Sequence, residues 1–421
     1  MATAKFQALR GTRDILTPES ERQRALVNTF AEQCHLAGYG HIMSPIFEDL
    51  GVFLRVGEST DVVTKEMYDF EDKDGRRIAL RPELTASVVR AFVQHNPPNL
   101  PWKAWYEGPQ FRHERPQAGR YRQFSQVGIE VLGSDDPHVD VEVIALGWRF
   151  YESLGMRQVT LLLNSLGDDT CRPQYFAALE AYLRDHAGDL SEESRETLDK
   201  NPLRVLDSKR EQDAAIIAGA PLMVDHLSPE TAEHFAAVRS GLDALGIPYE
   251  ISPKLVRGLD YYTRTTFEFA STALENAQNA VGGGGRYDGL AESLGGKPTP
   301  GIGFALGVDR ILLACDAEYT FPAPSTVPDV FVVDLTGGGE AVVVTDRLRQ
   351  AGISADRGFD GRSMKAQMKV ANRAGSPWAV IIGENELAEG NVTVRDMHGD
   401  TGQTLISSAD LVAELSSRLG R

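Results

Sequence analysis

Phe111–Glu130 reads FRHERPQAGRYRQFSQVGIE, and it sets Arg112, Arg115, Arg120 and Arg122 within eleven positions. Their surroundings are acidic, with 43 Lys and Arg against 60 Asp and Glu and a net charge of -17. Arginine stays charged and presents a planar fork of donors that suits phosphate. Pro116 and Gly119 mark a turn. WKAWYEG before it and FSQVGIEVLG after it have the composition and alternation of strands. The stretch therefore predicts a β-hairpin with an arginine-bearing loop. Its return strand presents Gln126, Gly128 and Glu130 on one face, because side chains alternate along a strand. On charge alone, a solvated basic loop fits equally well.

Outward from the hairpin, RRIALRPELT at residues 76–85 predicts a short strand that runs into Arg81, Glu83 and Thr85, followed by a helix with Thr85 near its N-cap. That junction is either a ligand site or simple capping with a surface ion pair. Earlier, residues 19–38 predict a helix closed by Gly38, and HIMSPIFED predicts a strand broken by Pro45. A proline-marked edge is a hint of a second subunit. Residues 138–154 predict a helix and VTLLLNSLG a strand. From about 171 to 240 the pattern is helical and polar, as expected of an insertion in a sheet-based domain.

LVRGLDYYTRTTFEF, residues 255–269, opens a β-rich part with Arg257, Asp260, Tyr261 and Tyr262. If extended, the adjacent tyrosines point to opposite faces. Gly282–Gly285 form a run that lets backbone approach a ligand. The run lacks the spacing of a dinucleotide fingerprint and the G-K-[ST] ending of a P-loop, so any phosphate grip falls to arginines. GIGFALGVDRILLA turns from strand to helix and carries Arg310, an arginine on an apolar helix that is costly to bury without an anion.

After a linker with Pro322, Pro324 and Pro328, residues 325–421 alternate strand and helix as a separate α/β domain. This part holds 10 Lys and Arg against 13 Asp and Glu, so it is much less acidic than the rest. Arg362, Lys365, Lys369 and Arg373 share one face of its second helix, while Met364, Met368 and Ala371 share another. The basic face is either a phosphate-backbone contact or a solvated surface. Cys34, Cys171 and Cys315 make no disulfide framework or zinc site by spacing. The N-terminal stretch lacks the apolar core of a signal peptide, and no apolar run is long enough to span a membrane. The expectation is a cytoplasmic protein with no membrane partner.

At this point a resemblance enters. The Pro45 region, FRHERPQAGRYRQF and GIGFALGVDR resemble the three motifs of class II aminoacyl-tRNA synthetases. LVRGLDYYTRTTFEF, GGGGRYDG, RGTRDILTPE and RPELTAS resemble motifs of the histidyl-tRNA synthetase family. Two departures are Leu84, where the family often has glycine, and Ser125, where it often has histidine. Leu84 is expected to narrow the pocket slightly.

The resemblance implies an α+β fold. Residues 1–324 would form a catalytic domain on an antiparallel sheet, with the helical insertion at about 171–240. Residues 325–421 would form an α/β anticodon-binding domain. It implies activation of L-histidine by ATP, brought with Mg2+ as a substrate complex, then transfer to the 3′ end of tRNA(His). No tightly bound cofactor or protein metal site is expected, and the chain would work as a homodimer. Arg112 and Arg257 match catalytic arginines. Arg112, Glu114, Arg120, Phe124 and Arg310 would hold ATP. Glu83, Leu84, Thr85, Gln126, Glu130, Tyr261 and Tyr262 would hold histidine. Arg362, Lys365, Lys369 and Arg373 would meet tRNA. A competing resemblance is to the non-catalytic regulatory subunit of ATP phosphoribosyltransferase. Proteins of that kind resemble synthetases without the C-terminal domain and the intact LVRGLDYY segment, both present in this chain.

Overall fold

Ten-residue strands flank the arginine loop, and the sheet grows from them. The computed structural model describes residues 6–421 except 58, 59, 61, 207, 257, 275–278 and 400–401. Its N-terminal strands are β1 (Gly40–His41), β2 (Phe47–Asp49), β3 (Tyr68–Glu71), β4 (Arg77–Leu80), β5 (Trp102–Phe111) and β6 (Gln123–Leu132). They are followed by β7 (Val159–Ser165), β8 (Glu250–Ile251), β9 (Thr263–Ser271), β10 (Ala280–Arg286) and β11 (Gly301–Gly307). Eight of these form one sheet in the order β1-β5-β6-β11-β10-β9-β7-β8. The inner pairings are antiparallel; only β1 with β5 and β7 with β8 run parallel. The strand expected across Pro45 is two strands. β1 closes the large sheet, and β2 joins a small sheet ordered β2-β4-β3.

Alternation along β6 separates two jobs. Val127, Ile129 and Val131 are 0–1% exposed and face the main core. That core is completed by Leu26 and Phe30 of the Glu19–Leu36 helix and by Ile144 and Phe150 of the Pro137–Ser153 helix. Burying side chains of this size contributes about 1.5–3 kcal/mol each. Gln126, Gly128 and Glu130 point to the other face, where register aligns Glu130 with Gly303 and Gly303 with Gly285.

The glycine run lies inside β10 rather than in a loop. A Cβ on Gly284 would overlap Gly303 O and Phe304, and one on Gly285 would sit 2.9 Å from the Tyr262 ring. Gly128 and Gly303 leave room for Tyr106 and Glu130 in the same way. Side chains are missing from the middle of this sheet because larger ones rise from its neighbours into that space.

The helical segment has its own core between Cys171 and Met223. It ends earlier than the predicted limit near 240. The helix Pro229–Ala244 sends Phe235, Val238 and Leu242 into the main core. Its polar residues conceal that apolar stripe from composition alone.

The chain divides into compact units Met1–Pro324 and Ser325–Arg421. The second unit contains β12 (Val330–Asp334), β13 (Ala355–Arg357), β14 (Trp378–Ile382), β15 (Asn391–Asp396) and β16 (Gln403–Ser407), in the order β13-β12-β14-β15-β16. β16 and the helix Glu384–Ala388 were not expected from the sequence; both are short and largely polar. The helix Met364–Ala374 buries Gln367 and Ala371, whereas Met364 is 40% exposed. Of the expected apolar face, Ala371 is buried and Met368 packs against the same core, while Met364 falls outside it, so the buried face is rotated toward Gln367. Gln367 holds it there: Nε2 donates to Asp334 O and Arg362 O at 2.7 Å, and Oε1 accepts from Asp334 N at 3.1 Å. Among the described residues no helix is long and apolar enough to cross a membrane.

Candidate active site

Above the glycine floor lies a cavity of about 290 Å³. The hairpin supplies Arg112, Glu114, Arg120, Phe124 and Gln126 to its walls. Glu83 and Thr85 come from the junction before the Thr85–His95 helix, Tyr261 and Tyr262 from the segment before β9, and Arg310 from the Val308–Glu318 helix. Residues as far apart in sequence as Glu83 and Arg310 thus meet at one place.

The carboxylate side is tightly organised. Glu83 accepts hydrogen bonds from Thr85 N at 2.6 Å and Ala86 N at 2.9 Å, so its side chain caps the helix that Thr85 was expected to cap. Burial pushes the Glu83 pKa up, while those N–H groups and Arg112 oppose the shift. The Thr85 hydroxyl donates instead to Glu130 Oε1 at 2.7 Å. Tyr106 donates to the same oxygen at 3.1 Å, and the Tyr287 hydroxyl donates to Oε2. Glu130 is fully buried, and desolvation raises its pKa to about 8 against the pull of the three hydroxyls. Glu130 lies beside Thr85 beneath the cavity rather than among its lining residues.

Two expectations for this side need correction. Leu84 does not line or narrow the cavity. It is 1% exposed and packs with Val88, Ala104 and Tyr106, because the helix start turns it opposite Glu83 and Thr85. Tyr261 and Tyr262 do not diverge. Tyr261 lies in a turn before β9, and the two rings are 4.7 Å apart along the same cavity. A bulge follows them, where Gly285 pairs with Thr266 but Arg286 pairs with Thr263, and Arg264 adopts φ 47°. Bulges re-aim adjacent side chains. The Tyr261 hydroxyl and Gln126 Oε1 are buried and have no hydrogen-bond partner among the described residues. Tyr261 lies close to Thr85 without bonding geometry. Unpartnered polar atoms facing a cavity are what a polar ligand would satisfy.

The arginine side is cationic. Arg112 Nε donates to Pro82 O at 2.9 Å, and its guanidinium lies 5.2 Å from the Phe124 ring centre. Arg310 Nη1 donates to Ala280 O at 3.0 Å. Burial lowers the Arg310 pKa, with repulsion from Arg120 and Arg112 in the same direction. Arg120 forms an ion pair with buried Glu114. Three guanidiniums close enough to feel one another are stable only while an anion or carboxylate is near. Arg115 is exposed and Arg122 half-buried, and neither lines the cavity. Arg257 lies outside the described residues.

Other contributors went unrecognised in the sequence. Arg13 Nη2 bonds Asp309 Oδ1 at 2.9 Å, and its guanidinium lies 4.5 Å from the Tyr121 ring centre. Arg122 N donates to Gly11 O at 2.7 Å. The N-terminal RGTRD segment thereby ties down the arginine loop. Tyr287 lies within GGGGRYDG, and Tyr106 faces Gly128 across the hairpin register. Arg286, fully buried, serves the core instead, binding Asp140 with Nη2 at 2.6 Å and Nε at 3.1 Å. Among the described residues no cluster of three or more His, Cys, Asp or Glu is arranged to hold a metal.

In the second unit, Arg362, Lys365, Lys369 and Arg373 are all exposed, and Arg362 pairs with Asp360 at 2.8 Å.

A large antiparallel sheet bearing a cavity with one carboxylate side and one arginine side, followed by an α/β unit, is the arrangement expected of an aminoacyl-tRNA synthetase. Residues 11–311 match the family model described as histidyl-tRNA synthetase, and residues 329–418 match an anticodon binding domain. The histidine–tRNA ligase of Nocardia farcinica is 49% identical over 427 residues, spanning 99% of each chain. That of Streptomyces coelicolor is 48% identical over 426 residues, spanning 100% of this chain and 99% of the other. The crystal structure of apo S. aureus histidyl-tRNA synthetase superposes with a TM-score of 0.83 at 36% identity, covering 98% of this chain and 100% of that one. The chain belongs to the histidyl-tRNA synthetase family. The catalytic synthetase reading stands over that of a regulatory subunit.

Proposed function

We propose that the cavity binds L-histidine and ATP together, forms histidyl-adenylate and pyrophosphate, and passes the histidyl group to the 3′-terminal ribose of tRNA(His). The observation that carries this reading is the joining of Glu83, Thr85, Gln126, Tyr261 and Tyr262 to Arg112, Arg120, Phe124 and Arg310 around one cavity. Histidine has an ammonium and two ring nitrogens. Glu83 and Gln126 offer oxygens to the ammonium. The Tyr261 and Tyr262 hydroxyls offer partners to the ring, with Glu130 behind Thr85 setting the polarity of that end.

The substrate carboxylate attacks the α-phosphorus of ATP and pyrophosphate departs. This step needs orientation and neutralised charge more than proton transfer. Arg112 holds the α-phosphate, Arg120 and Arg310 the outer phosphates, and Phe124 stacks on adenine, with Glu114 steadying Arg120. Magnesium arrives with ATP as part of the substrate. By resemblance, Arg257 shares the α-phosphate charge with Arg112. In the second step the ribose hydroxyl attacks the acyl carbon and AMP leaves.

The exposed basic face of the Met364–Ala374 helix is proposed to meet the tRNA phosphate backbone. Homodimerisation is proposed through the region around β1 and β2, where Met43 is 85%, Ile46 45% and Phe47 57% exposed. A cytoplasmic site of action is supported by the three free, buried cysteines.

Histidine-dependent exchange of labelled pyrophosphate into ATP is the deciding assay. Exchange with histidine alone among the amino acids is expected. Exchange driven by a different amino acid would overturn the substrate, and a lack of exchange with any would overturn the catalytic reading.

A further inference from the structure

Two arginines of the helical insertion reach the segment that carries the cavity tyrosines. Arg204 Nη2 bonds Asp260 Oδ1 at 2.8 Å, with the side chains 19% and 23% exposed. Asn201 adds a second tie. Its carbonyl oxygen accepts from Leu203 N at 3.1 Å and so caps the short helix that carries Arg204, while its amide nitrogen donates to Asp260 Oδ1 at 3.4 Å. Arg172, the first residue of the insertion's first helix, donates from Nη1 to Tyr262 O at 2.9 Å. Burial depresses its pKa, so the guanidinium is held in a dry setting, and its charge lies 5.4 Å from the Phe176 ring centre. Val256 packs on the insertion's own core, just before the segment.

These contacts fall on consecutive features of one short stretch, the Asp260 carboxylate and the Tyr262 carbonyl. Tyr261 between them lines both the 290 Å³ cavity and a groove of about 810 Å³ that also exposes Asp168, Arg172, Asp260 and Arg264. The stretch is a turn, without ladder hydrogen bonds to fix it until β9 begins at Thr263. A turn is positioned only by what grips it from outside. The main sheet grips it downstream through the bulge and upstream through Asn164 of β7, whose Nδ2 donates to Pro253 O at 3.2 Å and Leu255 O at 3.1 Å. Leu259, Tyr261 and Tyr262 pack on the core around Phe53 and Tyr287. To these the insertion adds the polar grips on Asp260 and the Tyr262 carbonyl.

We infer that Arg204 and Arg172 are positioning residues: through Asp260 and the Tyr262 carbonyl, the helical insertion sets the two tyrosines against the amino-acid end of the cavity. This rests on the histidine reading of the site. Apart from Arg257, which the resemblance places at the α-phosphate, the nucleotide end is built from the hairpin and the Arg310 helix, and those elements are gripped by neither arginine. A loosened insertion therefore weakens amino-acid binding well beyond any effect on ATP, most of whose contacts come from other elements. Displacements near 1 Å cost large factors in rate or binding.

The test is pyrophosphate exchange by the full chain, with KM for histidine and for ATP measured separately in Arg204→Ala, Arg204→Lys, Asp260→Asn and Arg172→Ala. Arg204→Ala is expected to raise the histidine KM by about tenfold while the ATP KM stays within about twofold. Arg204→Lys, which keeps the charge, should recover part of the loss, and Asp260→Asn should reproduce it. Adding Arg204→Ala to Asp260→Asn should cause little further change, since both break the same contact. If Arg204→Ala does not fold, Asp260→Asn and Arg204→Lys decide the matter. An unchanged histidine KM in the folded variants, or an equal rise in both KM values, overturns the inference while the functional reading stands. An unmodified chain without histidine-dependent exchange overturns both.

Discussion

Glu130 concentrates the physics of the site in one side chain. A glutamate carboxyl in an unfolded chain titrates at about 4.3, whereas that of Glu130 is pushed up to about 8 by burial. Between these values the folded protein holds the extra proton, so this group's contribution to stability falls as pH rises. It is fully present below the unfolded value and is lost as pH passes through about 8. Glu130→Gln removes the titration while keeping a side chain that bonds Thr85, Tyr106 and Tyr287. Urea unfolding at about pH 6 and about pH 9 should show a smaller fall in stability for the variant than for the parent; an identical fall would mean that Glu130 is already ionised in the fold. The position of Glu130 on the site face was legible, because alternation along one strand determines it. Its surroundings were not. Thr85, Tyr106 and Tyr287 lie 45, 24 and 157 residues away in sequence, and only sheet register unites them.

At the scale of elements, strands with regular alternation and helices with a clear apolar stripe were readable, whereas elements stabilised mainly by partners were not. The helix Met364–Ala374 shows why. Its buried face is pinned by a glutamine, which composition places on the surface, so the apolar pattern found Ala371 and Met368 but not the residue that fixes the helix. Gln367→Ala would leave the Asp334 N–H and C=O without their partner. A loss of roughly 1–3 kcal/mol in the second unit is expected, seen by calorimetry of the full chain. Wild-type stability would mean that water replaces the amide without cost. The opposite side of the same helix yields a different prediction. Lys365→Glu with Lys369→Glu should weaken tRNA binding and lower the slope of log affinity against log salt by about 2 or more, while pyrophosphate exchange persists. An unchanged slope would leave that face as ordinary solvated surface. The insertion's extent was misjudged for a related reason: a polar helix with one thin apolar stripe resembles its neighbours in composition, but Phe235, Val238 and Leu242 join a different core.

For the whole molecule, the proposed dimer has a physical motive. β1 and β2 end their sheets, and Met43, Ile46 and Phe47 project close to those two edges. Uncovered sheet edges with apolar side chains invite pairing. Phe47→Glu puts a charge into that patch. Sedimentation should then show monomers at concentrations at which the parent chain is dimeric. A parent chain that sediments as a monomer would remove the proposal, and a dimeric variant would move the interface elsewhere.

The glycines of the sheet beneath the cavity also constrain how the protein can change over time. Gly128, Gly285 and Gly303 make room for Tyr106, Tyr262 and Glu130 by having no side chain, and a methyl group at any of the three would overlap a backbone oxygen of a neighbouring strand. Every missense change of a glycine codon adds mass. Drift at these positions can only crowd the side chains that support the chamber. Acceptance of bulkier amino acids must therefore arise in the walls, where Tyr261, Tyr262 and Gln126 can be trimmed, and not in the sheet beneath them.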